Sequence, residues 1–169
     1  VTPTSTQFLT GAKDIKPAVI SGELRLPQKG EGRLPAVILV HTLGGVSAQE
    51  EQWAKELNGI GIATFVLDSY TGRGITLQTA TSITSLAMIV DAYRALELLS
   101  THPRIDPTRI ALMGFSRGGF VSLYAGLTRF RRMHGSAGVE FAAYLPFYPW
   151  CHWTYIDDDQ VSDRPIRIF

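Results

Sequence analysis

The residues best placed to do chemistry are Gly114-Phe115-Ser116-Arg117-Gly118, with Gly119 directly behind them. A serine hydroxyl is a weak nucleophile until a base takes its proton. Glycines two residues to either side let the chain turn sharply enough to lift that hydroxyl out of the fold. The pattern has meaning only between a strand and a helix, where the first N–H groups of the helix face charge building on an acyl oxygen. Both neighbours are present: an apolar run from Arg109 to Met113 before the motif, and helix-like spacing from Phe120 to Arg132 after it. The chemistry this arrangement suggests is acyl transfer to a serine.

Other reactive side chains are scattered. His41 opens a Gly-ending loop, His41 to Gly45, and reads as a residue that shapes that loop rather than one that carries protons. Asp68 closes an apolar run and reads as an organiser of the loop after it. His134 falls at the end of the helical spacing after Ser116, where a cation complements the helix dipole, so a solvated helix-end role is expected. The run Asp157 to Asp159 reads as a solvated loop and Cys151 as a small packing residue. Tyr148, Trp150 and Trp153 read equally as core or as the wall of an acyl pocket.

These groups need a frame to hold them. Ala36-Val37-Ile38-Leu39-Val40 and Ile62 to Leu67 are continuous apolar runs, the pattern of strands covered on both faces. Val19 to Leu26 alternates loosely before Pro27, Gly30 and Gly32, which predicts an edge strand or hairpin. Ser47 to Glu50 is a capping-box pattern, with Trp53, Ala54 and Leu57 on one face of the helix it starts and Asn58-Gly59 as its stop. From Ile83, the spacing Leu86, Ala87, Val90, Tyr93, Leu96 predicts a long amphipathic helix, ended by Pro103 and Asp106-Pro107. Phe120, Leu123, Tyr124, Leu127 and Phe130 predict one helix after the serine. Phe141 to Tyr148 reads as a further strand, Ile166 to Phe169 as the opening of another, and residues 1–16 as a mobile lead-in. The alternation predicts a single α/β domain over residues 1–169, with a mainly parallel sheet and helices on both faces.

With its serine in that frame, the chain resembles an α/β-hydrolase, and more closely the dienelactone hydrolase family. The resemblance runs from about Val19 to the last residue and rests on four stretches. They are the first central strand with His41-Thr42-Leu43-Gly44-Gly45, then Leu67-Asp68-Ser69-Tyr70, then Asp106-Pro107-Thr108-Arg109-Ile110, and the serine motif. The resemblance implies Ser116 as nucleophile and an oxyanion hole formed by the backbone N–H groups of Leu43 and Arg117. Thr42, Tyr70 and Arg73, with Trp150 from the aromatic reading, are the candidate substrate-pocket positions. Departures from the family narrow the chemistry. The dienelactone enzymes carry cysteine where Ser116 stands and glutamate where Thr42 stands, and their substrate-binding arginine matches Arg73 only with one residue inserted. The resemblance therefore implies cleavage of an ester or lactone with an uncharged or weakly polar acyl group, without metal or organic cofactor.

In this fold the acid and the histidine follow the nucleophile along the chain, in that order. The acid's loop follows the strand opening at Ile166 and the histidine comes one strand later. Both are expected beyond Phe169, with the remaining C-terminal strands and helix, and a C-terminal fragment of the same protein is then a candidate partner. His152 follows a strand whose C-terminal end should face the site, so it is a substitute base within the chain, against that order. Other readings stay open: a peptidase of a related α/β-hydrolase branch, which usually needs an extra gating domain, and a non-catalytic binding protein of the same fold. A net charge of +1, with no Lys/Arg run along an aromatic stripe, argues against a nucleic-acid partner. The apolar runs are far shorter than a membrane span, so a soluble protein is expected. A single cysteine excludes an internal disulfide. No export-signal pattern opens the chain, which begins Val1-Thr2-Pro3, and both compartment and oligomeric state stay open.

Overall fold

The computed structural model describes residues 1–28 and 32–169. Gly30, one of the turn residues expected after the first strand, lies outside the described residues. The continuous apolar runs form the centre of a five-stranded sheet because alternate side chains enter cores on opposite faces. β2 (Leu34–Val40) sends Ile38 and Val40 into the larger core and Val37 and Leu39 into the smaller. β3 (Ala63–Asp68) divides Phe65 and Leu67 from Val66 in the same way. β1 (Ser21–Arg25), β4 (Ile105–Phe115) and β5 (Ala143–Phe147) complete the order β1-β3-β2-β4-β5. β1 is the antiparallel edge strand its loose alternation predicts, and the other strands pair in parallel. The chain leaves β2 toward β3 on one side and later places β4 and β5 on the other. Loops after β2 and β4 therefore part over neighbouring strand ends, and such a switch point is where an open α/β sheet leaves a crevice.

Helices cover both faces, as the alternation predicts. α2 (Ala48–Gly59) lies on the smaller core, packing Trp53, Ala54 and Leu57 against it. Its first turn is closed by the expected capping box: Gln49 N–H donates to Ser47 Oγ at 3.2 Å and Ser47 N–H to Glu50 Oε2 at 2.8 Å. α3 (Ser85–Ser100) lies on the larger core and buries Leu86, Ala87, Val90, Tyr93 and Leu96, the face read from its spacing. Burying a leucine, valine or similar side chain contributes roughly 1.5–3 kcal/mol, set against the entropy of ordering the chain.

Elsewhere the structure departs from the sequence pattern. The single helix expected after Ser116 is two, α4 (Arg117–Tyr124) and α5 (Thr128–His134). Between them the backbone is committed to a distant segment: Ser162 N–H donates to Gly126 O at 2.8 Å and Thr128 N–H to Gln160 O at 2.9 Å. Leu127 accordingly adopts an extended ψ of 125°. The apolar spacing runs through the break because Phe120, Tyr124, Leu127 and Phe130 still enter one core. Residues 1–16, expected as a mobile lead-in, contain α1 (Ser5–Leu9), closed by a capping box between Thr4 and Gln7. Its Phe8 is 0% exposed, stacked on His134 and edge-on to Phe130. β4 begins before Asp106-Pro107 rather than after it, and a register shift between Leu34 and Ala36 absorbs the extra residues. Ile166 to Phe169 runs parallel beside β5, with Arg167 N–H on Tyr144 O at 2.9 Å and Phe169 N–H on Pro146 O at 3.0 Å. No helix among the described residues is long and apolar enough to cross a membrane.

Candidate active site

Ser116 is the single residue between the end of β4 and the start of α4, half-buried, with φ 51° and ψ −104°. A residue with a side chain rarely holds a positive φ, and does so only where its surroundings enforce it. Here Ser116 N–H donates to Phe147 O at 3.0 Å and Phe120 N–H donates to Ser116 O at 2.9 Å. The neighbouring glycines allow the crossing. A Cβ on Gly114 would overlap the Gly118 carbonyl, and one on Gly118 would overlap the Val40 carbonyl and come within 2.8 Å of His41 O. A Cβ on Gly119 would overlap Phe147 O. The start of α4 is thereby pressed onto the C-terminal ends of β2 and β5, beside the loop that follows β2.

That loop, His41 to Gly45, is folded on itself. Gly44 N–H donates to Thr42 Oγ1 at 3.2 Å and Gly45 N–H to Thr42 O at 3.3 Å. Gly45 has φ 87°, a conformation that favours glycine, and a Cβ there would lie 3.4 Å from the Tyr70 ring. The backbone N–H groups of Leu43 and Arg117 have no hydrogen-bond partner among the described residues. Arg117 N–H belongs to the first turn of α4, where helix geometry leaves donors free. The site therefore presents a hydroxyl on a strained turn together with unpaired backbone donors from two adjoining elements.

Side chains below the crevice fix these pieces. The Arg117 guanidinium is buried; it donates to Tyr70 Oη at 2.8 Å, to Ala80 O at 2.7 Å, to Ser85 Oγ at 3.2 Å and to Ile83 O. Tyr70 Oη donates in turn to Leu43 O at 3.2 Å. The serine motif marks Arg117 only for its N–H; nothing local marks the guanidinium, whose partners lie more than thirty residues away. His41 is wholly buried, its Nδ1 2.7 Å from Thr42 O and its Nε2 accepting Ser69 N–H at 3.4 Å. Burial lowers its pKa against the opposing pull of Thr42 and Asp68, so the ring is neutral and serves the loop's shape, as its position suggests. Asp68 accepts Tyr70 N–H at 2.8 Å and Thr71 N–H at 3.0 Å. Burial works to raise the Asp68 carboxyl, but the bonds from Thr71 and Tyr70 outweigh it and hold its pKa low.

Several candidate residues stand elsewhere or do something else. Arg73 is not a substrate-pocket residue: it forms a buried two-pronged pair with Asp91 at 2.7 and 2.8 Å. Its remaining donors reach Thr2 Oγ1, Ser69 O and Val1 O, so no N–H is left for a ligand. Thr42 shapes its own loop through the bonds above. His134 is buried rather than solvated, stacked on Phe8 with Nε2 2.9 Å from Phe8 O, and burial lowers its pKa. His152 is exposed beside Trp153, and Cys151 is exposed rather than packed. Trp150 and Trp153 line a hollow of about 240 Å³ with Leu86, Tyr155 and Phe120, which stands one turn after Ser116 on α4. A larger groove of about 940 Å³ runs along α2 from Ala48 to Gly59 and Gly61 and is lined by neither Ser116 nor the loop after β2, so its volume does not make it the site. Tyr148, read from the sequence as core or pocket wall, is exposed, has φ 36° and accepts from Gln49 Nε2 at 2.9 Å. No group of His, Cys, Asp or Glu side chains suited to a metal occurs among the described residues.

The BD-FAE family model matches residues 23–145 of this chain. Among solved structures, a Klebsiella pneumoniae protein described as a dienelactone hydrolase superposes with a TM-score of 0.70 at 14% identity, covering 88% of this chain and 65% of that one. A dienelactone hydrolase-like promiscuous phosphotriesterase from metagenomic libraries gives 0.70 at 19% identity, covering 89% of this chain and 62% of that one. Est1E from Butyrivibrio proteoclasticus, with ferulic acid bound, gives 0.60 at 19% identity, covering 77% of this chain and 49% of that one. No curated protein matches the sequence. At these identities the likeness establishes the fold, which is that of the α/β-hydrolases, and the chain spans less than two thirds of the length of each of these structures.

Proposed function

The chain belongs to the BD-FAE family, and from that premise we propose that it hydrolyses a carboxylic ester or lactone with Ser116 as nucleophile. One observation carries the reading: Ser116 holds a positive φ on the turn into α4, beside N–H groups of Leu43 and Arg117 that have no partner among the described residues. Ser116 Oγ attacks the acyl carbon as a base takes its proton, and the carbonyl electrons move onto oxygen. The two N–H groups hold that oxyanion, which needs fixed donors about 3 Å away. Collapse expels the alcohol with the proton returned by the base, leaving an acyl-serine that water cleaves by the same steps. His41 and His134 are committed to backbone partners, and His102 Nδ1 accepts the Arg104 N–H. His152 is exposed beside Trp153 and falls against the chain order in which acid and then histidine follow the nucleophile, so we assign the base, and the acid that orients it, to residues outside these 169.

The hollow lined by Phe120, Trp150 and Trp153 supports an apolar acyl or alcohol group as the portion bound. The test is hydrolysis of short-chain p-nitrophenyl esters by the whole protein. Ser116→Ala is expected to lower kcat by roughly a thousandfold or more, and an unchanged rate would remove Ser116 from the mechanism.

A further inference from the structure

The backbone donors assigned to the oxyanion come from elements separated in sequence, one in the loop after β2 and one at the start of α4. A buried phenol joins them. Tyr70 Oη accepts from the Arg117 guanidinium at 2.8 Å and donates to the Leu43 carbonyl at 3.2 Å. The peptide groups at issue thus belong to the residues this bridge links: Leu43 through its carbonyl, Arg117 through its side chain. Tyr70 is itself fixed. It is 4% exposed, and its ring lies edge-on to His41 with centroids 4.4 Å apart. The Arg117 guanidinium carbon lies 5.9 Å from the ring centroid. The Tyr70 N–H is held by Asp68 Oδ1 at 2.8 Å.

We propose that Tyr70 is the positioning residue of the oxyanion hole, setting the Leu43 peptide against the Arg117 end of α4 through its hydroxyl. The inference rests on the serine-hydrolase reading above. A hydroxyl is required because the bridge needs one group that both accepts from a guanidinium and donates to a carbonyl. Burial raises the Tyr70 pKa against the pull of Arg117, so the hydroxyl stays protonated through neutral pH. The contribution belongs to the transition state. The ester oxygen meets the donors most strongly as charge develops on it, so loosening the Leu43 loop should lower kcat and leave substrate binding alone.

The test is Tyr70→Phe, which keeps the ring and its packing. Arg117 Nη1 retains Ala80 O in that variant, and Leu43 is itself 36% exposed. With a p-nitrophenyl ester, kcat is expected to fall about tenfold, less than the loss from deleting a donor outright. KM should stay within about twofold, and the inhibition constant of an alkyl trifluoromethyl ketone, whose serine adduct carries the oxyanion, should rise by the same factor as kcat falls. Unchanged kcat and ketone affinity would overturn the inference while leaving Ser116 in place, as would a rise in KM alone. Wild-type protein that neither turns over the ester nor binds the ketone would sink the serine-hydrolase reading, and this one with it. Should Tyr70→Phe not fold, Arg117→Lys, which shortens the other end of the bridge, is expected to show the same split between kcat and KM.

Discussion

At the scale of single residues, the decisive contacts are between backbones, and glycines make them possible. Gly118 faces the Val40 and His41 carbonyls so closely that no side chain fits between. Gly118→Ala must push α4 away from β2, which overpacking data place at about 1–3 kcal/mol. It should also separate Ser116 from the Leu43 loop and lower ester hydrolysis by about a hundredfold. Urea unfolding and steady-state rates on one preparation check both. The turn at Ser116 was legible in the sequence because its requirements are local: a strand, a tight turn and a helix start within a few residues. The role of the Arg117 side chain was not, since its partners Tyr70, Ala80, Ile83 and Ser85 are brought to it only by the fold.

At the scale of elements, periodicity predicted which faces are buried and failed where a distant segment takes over the backbone. Spacing along α2 and α3 identified their buried sides, because packing on a sheet is the main demand on each. The break between α4 and α5 carries no break in spacing, and its cause, the segment Gln160 to Ser162, lies more than thirty residues downstream. Arg73 shows the same limit. Matched by position it looks like a substrate ligand, yet Asp91 on α3 holds it in a buried pair that ties the loop after β3 to the N-terminal segment. Arg73→Met leaves Asp91 buried and unpaired, so stability is expected to fall by about 3–5 kcal/mol. KM for a neutral ester should be unaltered at a temperature where the variant remains folded. A rise in KM without loss of stability would return Arg73 to the pocket. α1 makes a parallel case: Phe8→Ala empties a site enclosed by Phe130 and His134 and should cost about 3–5 kcal/mol by chemical denaturation.

At the scale of the whole molecule, buried imidazoles give stability a pH dependence with a definite sign. Burial depresses both His41 and His134 below the ordinary 6.5, so on acidification the unfolded chain takes up protons before the folded one does. Their contribution is fully present above 6.5 and is lost as pH falls from there toward the depressed folded values. The thermal midpoint should therefore drop between about pH 7 and about pH 5, and His134→Gln should flatten that slope. A midpoint that rises over the same interval would mean that these rings are not held neutral. The sheet order and its crevice bring together what the sequence left apart, the loop after β2 and the turn after β4, and everything proposed for this protein depends on their meeting at a reactive serine. The most direct measurement is fluorophosphonate labelling of the folded, whole protein, read by peptide mass spectrometry. A phosphonyl adduct is expected on Ser116 and is expected to be absent from Ser116→Ala. Folded protein that stays unmodified, or carries the adduct on another residue, would contradict Ser116 as the nucleophile.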